Sequence, residues 1–335
     1  MPALARSDWK SRAKIALKLV LTGLVFWFAG RHIARTWHDL RARGEAPRID
    51  AAWAALAVAL YVAGLAAFGA YFWRVVHASA SPVGAWAAIR AYLISHLGKY
   101  VPGKAMVVVM RVGLVVPYGA RPATAAFATL YETLVMMAAG GFMAAVGFAT
   151  APSTRAVVDL PIGRGSTLAV PQSVLGLGLG LAFLAVTWPA IFPRLAGLAR
   201  QALRGVGPDA LPRLSYRLMF EGMAWAFLGW TLLGLSQVAV IRAVLPGGIA
   251  VGAWPLAIAS VALATVAGFA VPIAPGGLGV REWVLWTALA ATLDSDMAVV
   301  SALVLRLAWV AGEVAAAGVS LMIRPAAPAG GLEPS

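Results

Sequence analysis

Charge is scarce in this sequence and cysteine is missing from it. Only 12% of the 335 residues are Asp, Glu, Lys or Arg, about half the ~25% of a soluble domain. Hydrophobic residues make up 61%. A long soluble core does not account for that imbalance, but apolar windows of about 20 residues recurring along the chain do. The absence of cysteine excludes disulfides, thiolate nucleophiles and thiolate metal sites, and leaves the redox compartment undecided. Histidine is nearly as rare, at four residues. His32 and His38 lie near Asp39 but in no metal-ligating pattern, so no metal site is expected. GxSxG, HExxH and the Walker motif GxxxxGK[ST] are missing too. The chain offers no catalytic set, and neither enzyme activity nor a cofactor is expected.

What charge there is, is basic, with a formal net charge of +14. No basic run is interleaved with stacking aromatics, so nucleic acid is not the expected partner. In a membrane chain the ordinary causes are Lys/Arg-rich cytoplasmic loops and attraction to anionic lipid. The start, MPALARSDWKSRAK, reads as a cationic interfacial segment over 1–14. A retained first helix follows it, because no A-x-A-like cleavage site comes after the apolar run.

Apolar segments fall at about 15–30, 51–73, 84–97, 104–117, 123–149, 173–192, 218–244, 253–273, 280–293 and 297–323. The pattern predicts an all-α polytopic membrane protein. It has about seven or eight transmembrane helices plus broken or re-entrant helices, within one transmembrane domain over 15–323. The tail over 324–335 is rich in Pro and Gly and is expected to be disordered. Arg-rich loops at 31–50 and 193–217 conflict over orientation: seven spans leave the C-terminus outside, eight leave it inside.

Three segments, 84–97, 104–117 and 280–293, are about 14 residues each. That is about 21 Å of helix, too short for a hydrocarbon core of about 30 Å. They flank Pro/Gly breaks, GKYVPGK at 98–104 and PIAPGGLG at 272–279. Pro102-Gly103 and Pro275-Gly276 are 173 residues apart. At that offset the segment 51–73 falls on 218–244, and Glu132 falls beside Arg306. The chain therefore reads as two pseudo-repeats, about 15–150 and 173–323. Transporters built from inverted repeats keep broken helices at matching positions and bind substrate between them.

The chemistry collects at the breaks. His96, Lys99, Lys104 and Arg111 surround the first, and a cation at membrane depth wants an anion. The helix that starts after Pro102-Gly103 presents free N–H groups, which suit a phosphate. Snorkelling of Lys99 and Lys104 to the interface is the plainer alternative, and His96 is expected to be a polar filler. At the second break Gly276, Gly277 and Gly279 permit close backbone approach before Arg281 and Glu282. Glu282 suits either a helix cap or a functional role, and Arg281 a headgroup or an interfacial anchor. Glu132, Arg306 and Glu313 sit inside long apolar helices, where ionisable groups usually pair. Glu132 with Arg306 is the expected ion pair, and Glu132 and Glu313 are the candidate proton carriers. Glu221 and Arg242 lie near helix ends, where interfacial placement suffices.

On these motifs the chain resembles a known family, the flippase-like transmembrane domain of lysylphosphatidylglycerol synthases and their stand-alone relatives. The resemblance rests on PGGLGVRE at 275–282 with Arg306 in the following helix, and on GKYVPGK with Arg111 and Glu132 downstream. Lys104 stands where relatives often carry Gly or Gly-Asp, and Thr133 where they often carry Arg. The resemblance implies a multi-pass protein of the bacterial inner membrane that moves phospholipids or other polar-headgroup lipids between leaflets. Lysyl transfer is not expected, since no stretch of the chain has the composition of the soluble transferase domain. Expected headgroup contacts are Lys99, Gly103, Lys104, Arg111, Gly276, Gly277, Arg281 and Arg306, with membrane lipids, anionic ones above all, as partners. The alternatives are a scaffold or accessory subunit for a lipid- or glycan-modifying enzyme, and a lipid-linked transferase using Asp294 and Asp296.

Overall fold

The computed structural model describes residues 49–79, 81–100, 105–151, 157–163, 166–202, 211–271 and 279–325. The expected interfacial segment 1–14, the first span at 15–30 and most of the tail lie outside the described residues.

Ten helices and one β-hairpin make up the described chain. The first half holds α1 (Ala51–Ala78), α2 (Ala85–Ser95), α3 (Ala105–Val115) and α4 (Pro122–Thr150). A 3-10 turn, His96–Tyr100, follows α2. Strands β1 (Val157–Gly163) and β2 (Ser166–Pro171) pair antiparallel, with Val157 opposite Pro171. Then come α5 (Gln172–Thr187) and α6 (Phe192–Ala202). The second half holds α7 (Tyr216–Val244), α8 (Trp254–Ala270), α9 (Val280–Leu293) and α10 (Ser295–Met322).

The chain is an all-α polytopic membrane protein. Five described helices are long and apolar enough to cross a bilayer: 51–78, 122–150, 216–244, 251–270 and 295–322. The 28 and 29 residues of the longest amount to about 42 Å, which exceeds the core and calls for tilt. The expected segment 173–192 is not one straight span. Its helix bends by 70° into α6, because Pro189 cannot continue the hydrogen-bond ladder and holds Trp188 extended (ψ 130). Beyond the bend, α6 exposes Leu195 and Leu198 alongside Arg194, the composition of a surface-lying helix. The hairpin at 157–171 falls between the apolar segments 123–149 and 173–192.

Side-chain caps fix where three of the long helices, α1, α7 and α10, begin. Asp50 accepts from the Ala52 and Trp53 amides at 2.8 and 3.3 Å. Ser215 accepts from Leu218 at 3.1 Å, and Asp294 from Met297 at 2.9 Å. Each satisfies amides that the first turn leaves without a partner.

The order long helix, two shorter helices, long helix occurs twice, as α1–α4 and as α7–α10. Contacts between the halves come in matching sets: α1 packs on α7, α4 on α8 as α10 on α2, and α1 on α10 as α7 on α4. Small residues bring the backbones together, as in other helical membrane interfaces. At Gly141 of α4 a Cβ would come within 2.5 Å of the Gly180 backbone of α5, whereas Gly178, turned away, would meet nothing within 4 Å.

Gly141→Ala is therefore expected to force α4 and α5 apart and destabilise the fold by about 1–3 kcal/mol. Gly178→Ala should be neutral or up to about 1 kcal/mol stabilising, since Ala favours helix. Thermal unfolding of the detergent-solubilised protein, monitored by tryptophan fluorescence, distinguishes the two.

Candidate functional site

Two polar clusters lie inside the helical bundle, and they differ in access. The first is sealed. Arg111 of α3 reaches Glu132 of α4, Nη1 to Oε2 at 3.0 Å, and its Nε donates to Ser95 Oγ at 3.0 Å. Tyr92 OH donates to the other carboxylate oxygen at 3.3 Å, and Thr133 Oγ1 to Oε2 at 3.3 Å. The guanidinium lies over the Tyr92 ring at 4.0 Å and the Phe72 ring at 5.0 Å. Arg111 and Glu132 are 2% and 1% exposed.

This corrects two expectations. Glu132 is paired with Arg111, not with Arg306. Arg111 is enclosed by Ser95, Tyr92, Phe72 and Glu132, so it does not face a headgroup. The pairing forms within a half because α3 and α4 are adjacent antiparallel neighbours across a short turn.

The second half carries the counterpart with the signs exchanged. Arg306 of α10 pairs with Glu282 of α9, Nη1 to Oε1. Glu282 also caps its own helix: Gly279 N–H donates to its Oε2 at 2.7 Å. Gly279 sits at φ 84, a left-handed geometry that favours glycine. The cap and the functional role left open for Glu282 are thus filled by two different oxygens.

The second cluster joins the halves. Glu313 of α10 receives Lys99 Nζ at 2.5 Å and the Tyr61 hydroxyl of α1, both on Oε1. His96 Nε2 lies 3.8 Å from that oxygen, 3.1 Å from Lys99 Nζ and 3.4 Å from Tyr61 OH. His96 and Lys99 meet because side chains three apart eclipse on a 3-10 turn. Arg306, Trp309 and Glu313 share a face of α10 by their spacing of three and four. Tyr61 stacks on Trp309 with centroids 4.2 Å apart and planes 12° from parallel. The Arg281 guanidinium lies over the Trp309 ring at 4.0 Å. Trp309 is itself fixed by its Nε1–H donating to Ser236 Oγ at 3.1 Å, and Ser236 in turn donates to Ala57 O.

Electrostatically the joint cluster is cationic. Among the described residues Lys99, Arg281 and Arg306 face two carboxylates, Glu282 and Glu313. Arg281 meets an aromatic face rather than a carboxylate. Lys99 keeps 24% of its side chain exposed while Glu313 is 0% exposed. Pro102, Gly103, Lys104, Pro275, Gly276 and Gly277 lie outside the described residues, next in sequence to Lys99 and Gly279.

Several participants were not singled out in the sequence. Tyr61 and Trp309 look there like interfacial aromatics. Arg90 is buried and its Nε donates to Ser320 O at 2.6 Å, tying α2 to the end of α10. Arg74 clamps Glu221 bidentately at 2.5 and 3.1 Å, joining α1 to α7. Asp294 is engaged as the cap of α10, and among the described residues no group of three or more His, Asp or Glu is placed to hold a metal.

No protein-family model matches the chain, and no curated protein matches it.

The sealed pair has a measurable consequence. Glu132→Ala strands a buried guanidinium and is expected to cost about 3–5 kcal/mol, whereas a double replacement, Arg111→Met with Glu132→Leu, should recover wild-type stability. Thermal melting of the three proteins in one detergent checks this.

Proposed function

We propose that this protein is a lipid flippase or scramblase for a phosphate-bearing, anionic headgroup, acting in the bacterial cytoplasmic membrane as a stand-alone relative of the flippase-like domain of lysylphosphatidylglycerol synthases. The observation that carries this reading is Arg281. Its guanidinium lies over the Trp309 ring face, a contact that leaves N–H donors for an acceptor. A planar fork of donors of this kind suits a phosphate.

The surroundings support the same chemistry. Lys99 contributes a second, partly exposed cation. The residues come from both halves: Tyr61, His96 and Lys99 from the first, Arg281, Arg306, Trp309 and Glu313 from the second. A site assembled between halves changes shape when one half rocks against the other, which is how repeat-built transporters alternate access. The headgroup would bind at this cationic cluster while the acyl chains stay in lipid. The two Pro/Gly motifs adjoin it in sequence.

The test is movement of fluorescent phosphatidylglycerol and phosphatidylcholine between leaflets of proteoliposomes. Wild type is expected to move the anionic lipid in preference. Arg281→Ala and Lys99→Ala should each reduce that movement at least tenfold, and Gly178→Ala should not. Equal movement by wild type and both variants would contradict the site, and no movement by folded wild type would contradict transport of these lipids.

A further inference from the structure

One buried oxygen is not accounted for by the site as described. Glu313 is fully buried, yet among the described residues only its Oε1 is engaged: Oε2 has no hydrogen-bond partner there. Glu132 differs in every respect that matters. Both its oxygens are bonded, and its partner Arg111 is as buried as itself. Glu313 depends for its charge balance on Lys99, a partly exposed side chain on a long tether, three residues before Pro102 in sequence.

Resting on the reading of this cluster as a phosphate-headgroup site, we propose that headgroup binding is coupled to uptake of one proton by Glu313. The cluster holds one mobile cation and, once lipid arrives, two anions that compete for it. The phosphate draws the Lys99 ammonium outward. A buried carboxylate abandoned by its cation is far more costly than a neutral carboxylic acid. Glu313 therefore takes a proton from the aqueous side, forming an O–H bond, and Oε2 is the oxygen with no other partner. When the headgroup leaves, Lys99 returns to Oε1 and the proton departs to water. No other bond is made or broken.

The groups around Glu313 fit this exchange. Tyr61 of α1 keeps donating to Oε1 in both states. His96 stands within 4 Å of the carboxylate and keeps 19% of its side chain exposed, so its ring can accept a proton from water on one nitrogen and release one from the other. Tyr100 of the same turn faces Glu313 but is not bonded to Oε2. Arg281, from α9, is the other described cation that faces Glu313. A headgroup that draws away Lys99 also covers Arg281, which removes that support at the same moment.

The experiment uses the full chain in detergent and a weakly buffered solution with a pH-indicator dye. A water-soluble short-chain phosphatidylglycerol and inorganic phosphate are titrated in separate arms. Binding is followed by the fluorescence of the tryptophans, and carboxyl protonation by infrared difference spectroscopy. Wild type is expected to take up close to one proton per lipid bound and to gain a protonated-carboxyl band. Glu313→Gln should bind the lipid with neither signal. Lys99→Ala should show the protonated-carboxyl band before lipid is added, and the double variant Lys99→Ala/Glu313→Gln should lack it. Uptake in the phosphate arm as well supports the coupling and places recognition in the phosphate, whereas uptake with the lipid alone supports it for the whole headgroup. Lipid binding without proton uptake overturns the coupling and leaves the headgroup reading standing. Uptake that persists in Glu313→Gln, or no band in Lys99→Ala, overturns the assignment to Glu313. No binding of either probe by wild type overturns the headgroup reading together with the coupling.

Discussion

A charge inside a bilayer has no water to stabilise it, so it must be carried in with its counter-charge or neutralised. With 12% charged residues, this chain places few charges within its apolar helices, and nearly every one of those described is matched. Arg111 with Glu132, Glu282 with Arg306, Lys99 with Glu313 and Arg74 with Glu221 each join two helices. Those contacts set which helices are neighbours as surely as the apolar packing does. Arg281 departs from the rule, meeting an aromatic ring instead of a carboxylate, and the functional reading grows from that departure.

The two halves use the same device in different ways. Each places an ion pair between its second short helix and the long helix that follows. The positions differ by 171 residues for Arg111 and Glu282 and by 174 for Glu132 and Arg306, and the signs are reversed. The first pair is enclosed and rigid, held by Ser95, Tyr92 and Thr133. The second remains partly accessible, at 16% and 25% exposure, and borders the cluster that joins the halves. One half thus supplies a fixed scaffold and the other an approachable charge, an asymmetry that suits a site where something enters and leaves.

Much of the fold was legible in the sequence because the bilayer imposes a length rule on apolar runs. The segments 51–73, 123–149 and 218–244 lie inside α1, α4 and α7, and 297–323 overruns α10 by one residue, while Asp50, Ser215 and Asp294 cap the helix starts. The short helices were legible from their length and from Pro102 and Pro275. The bend at Trp188–Ile191 was written in Pro189 and Pro193, but the apolar run continued through it and hid the turn. Hydropathy carries no signal for the hairpin at 157–171.

The site was only half legible. Sequence shows that Glu132, Arg306 and Glu313 need partners, because no isolated charge is stable there. It does not show which partner. The offset between halves suggested Glu132 with Arg306, whereas adjacency within each half decided the matter: α3 lies against α4, and α9 against α10. Lys99 finds Glu313 across 214 residues, which no local pattern encodes. The measurement that tests the central claim most directly is native mass spectrometry of the gently purified protein, wild type against Arg281→Ala. A cationic headgroup site predicts an anionic phospholipid retained by wild type and lost from the variant. Equal retention by both proteins, or retention of zwitterionic lipid alone, would contradict it.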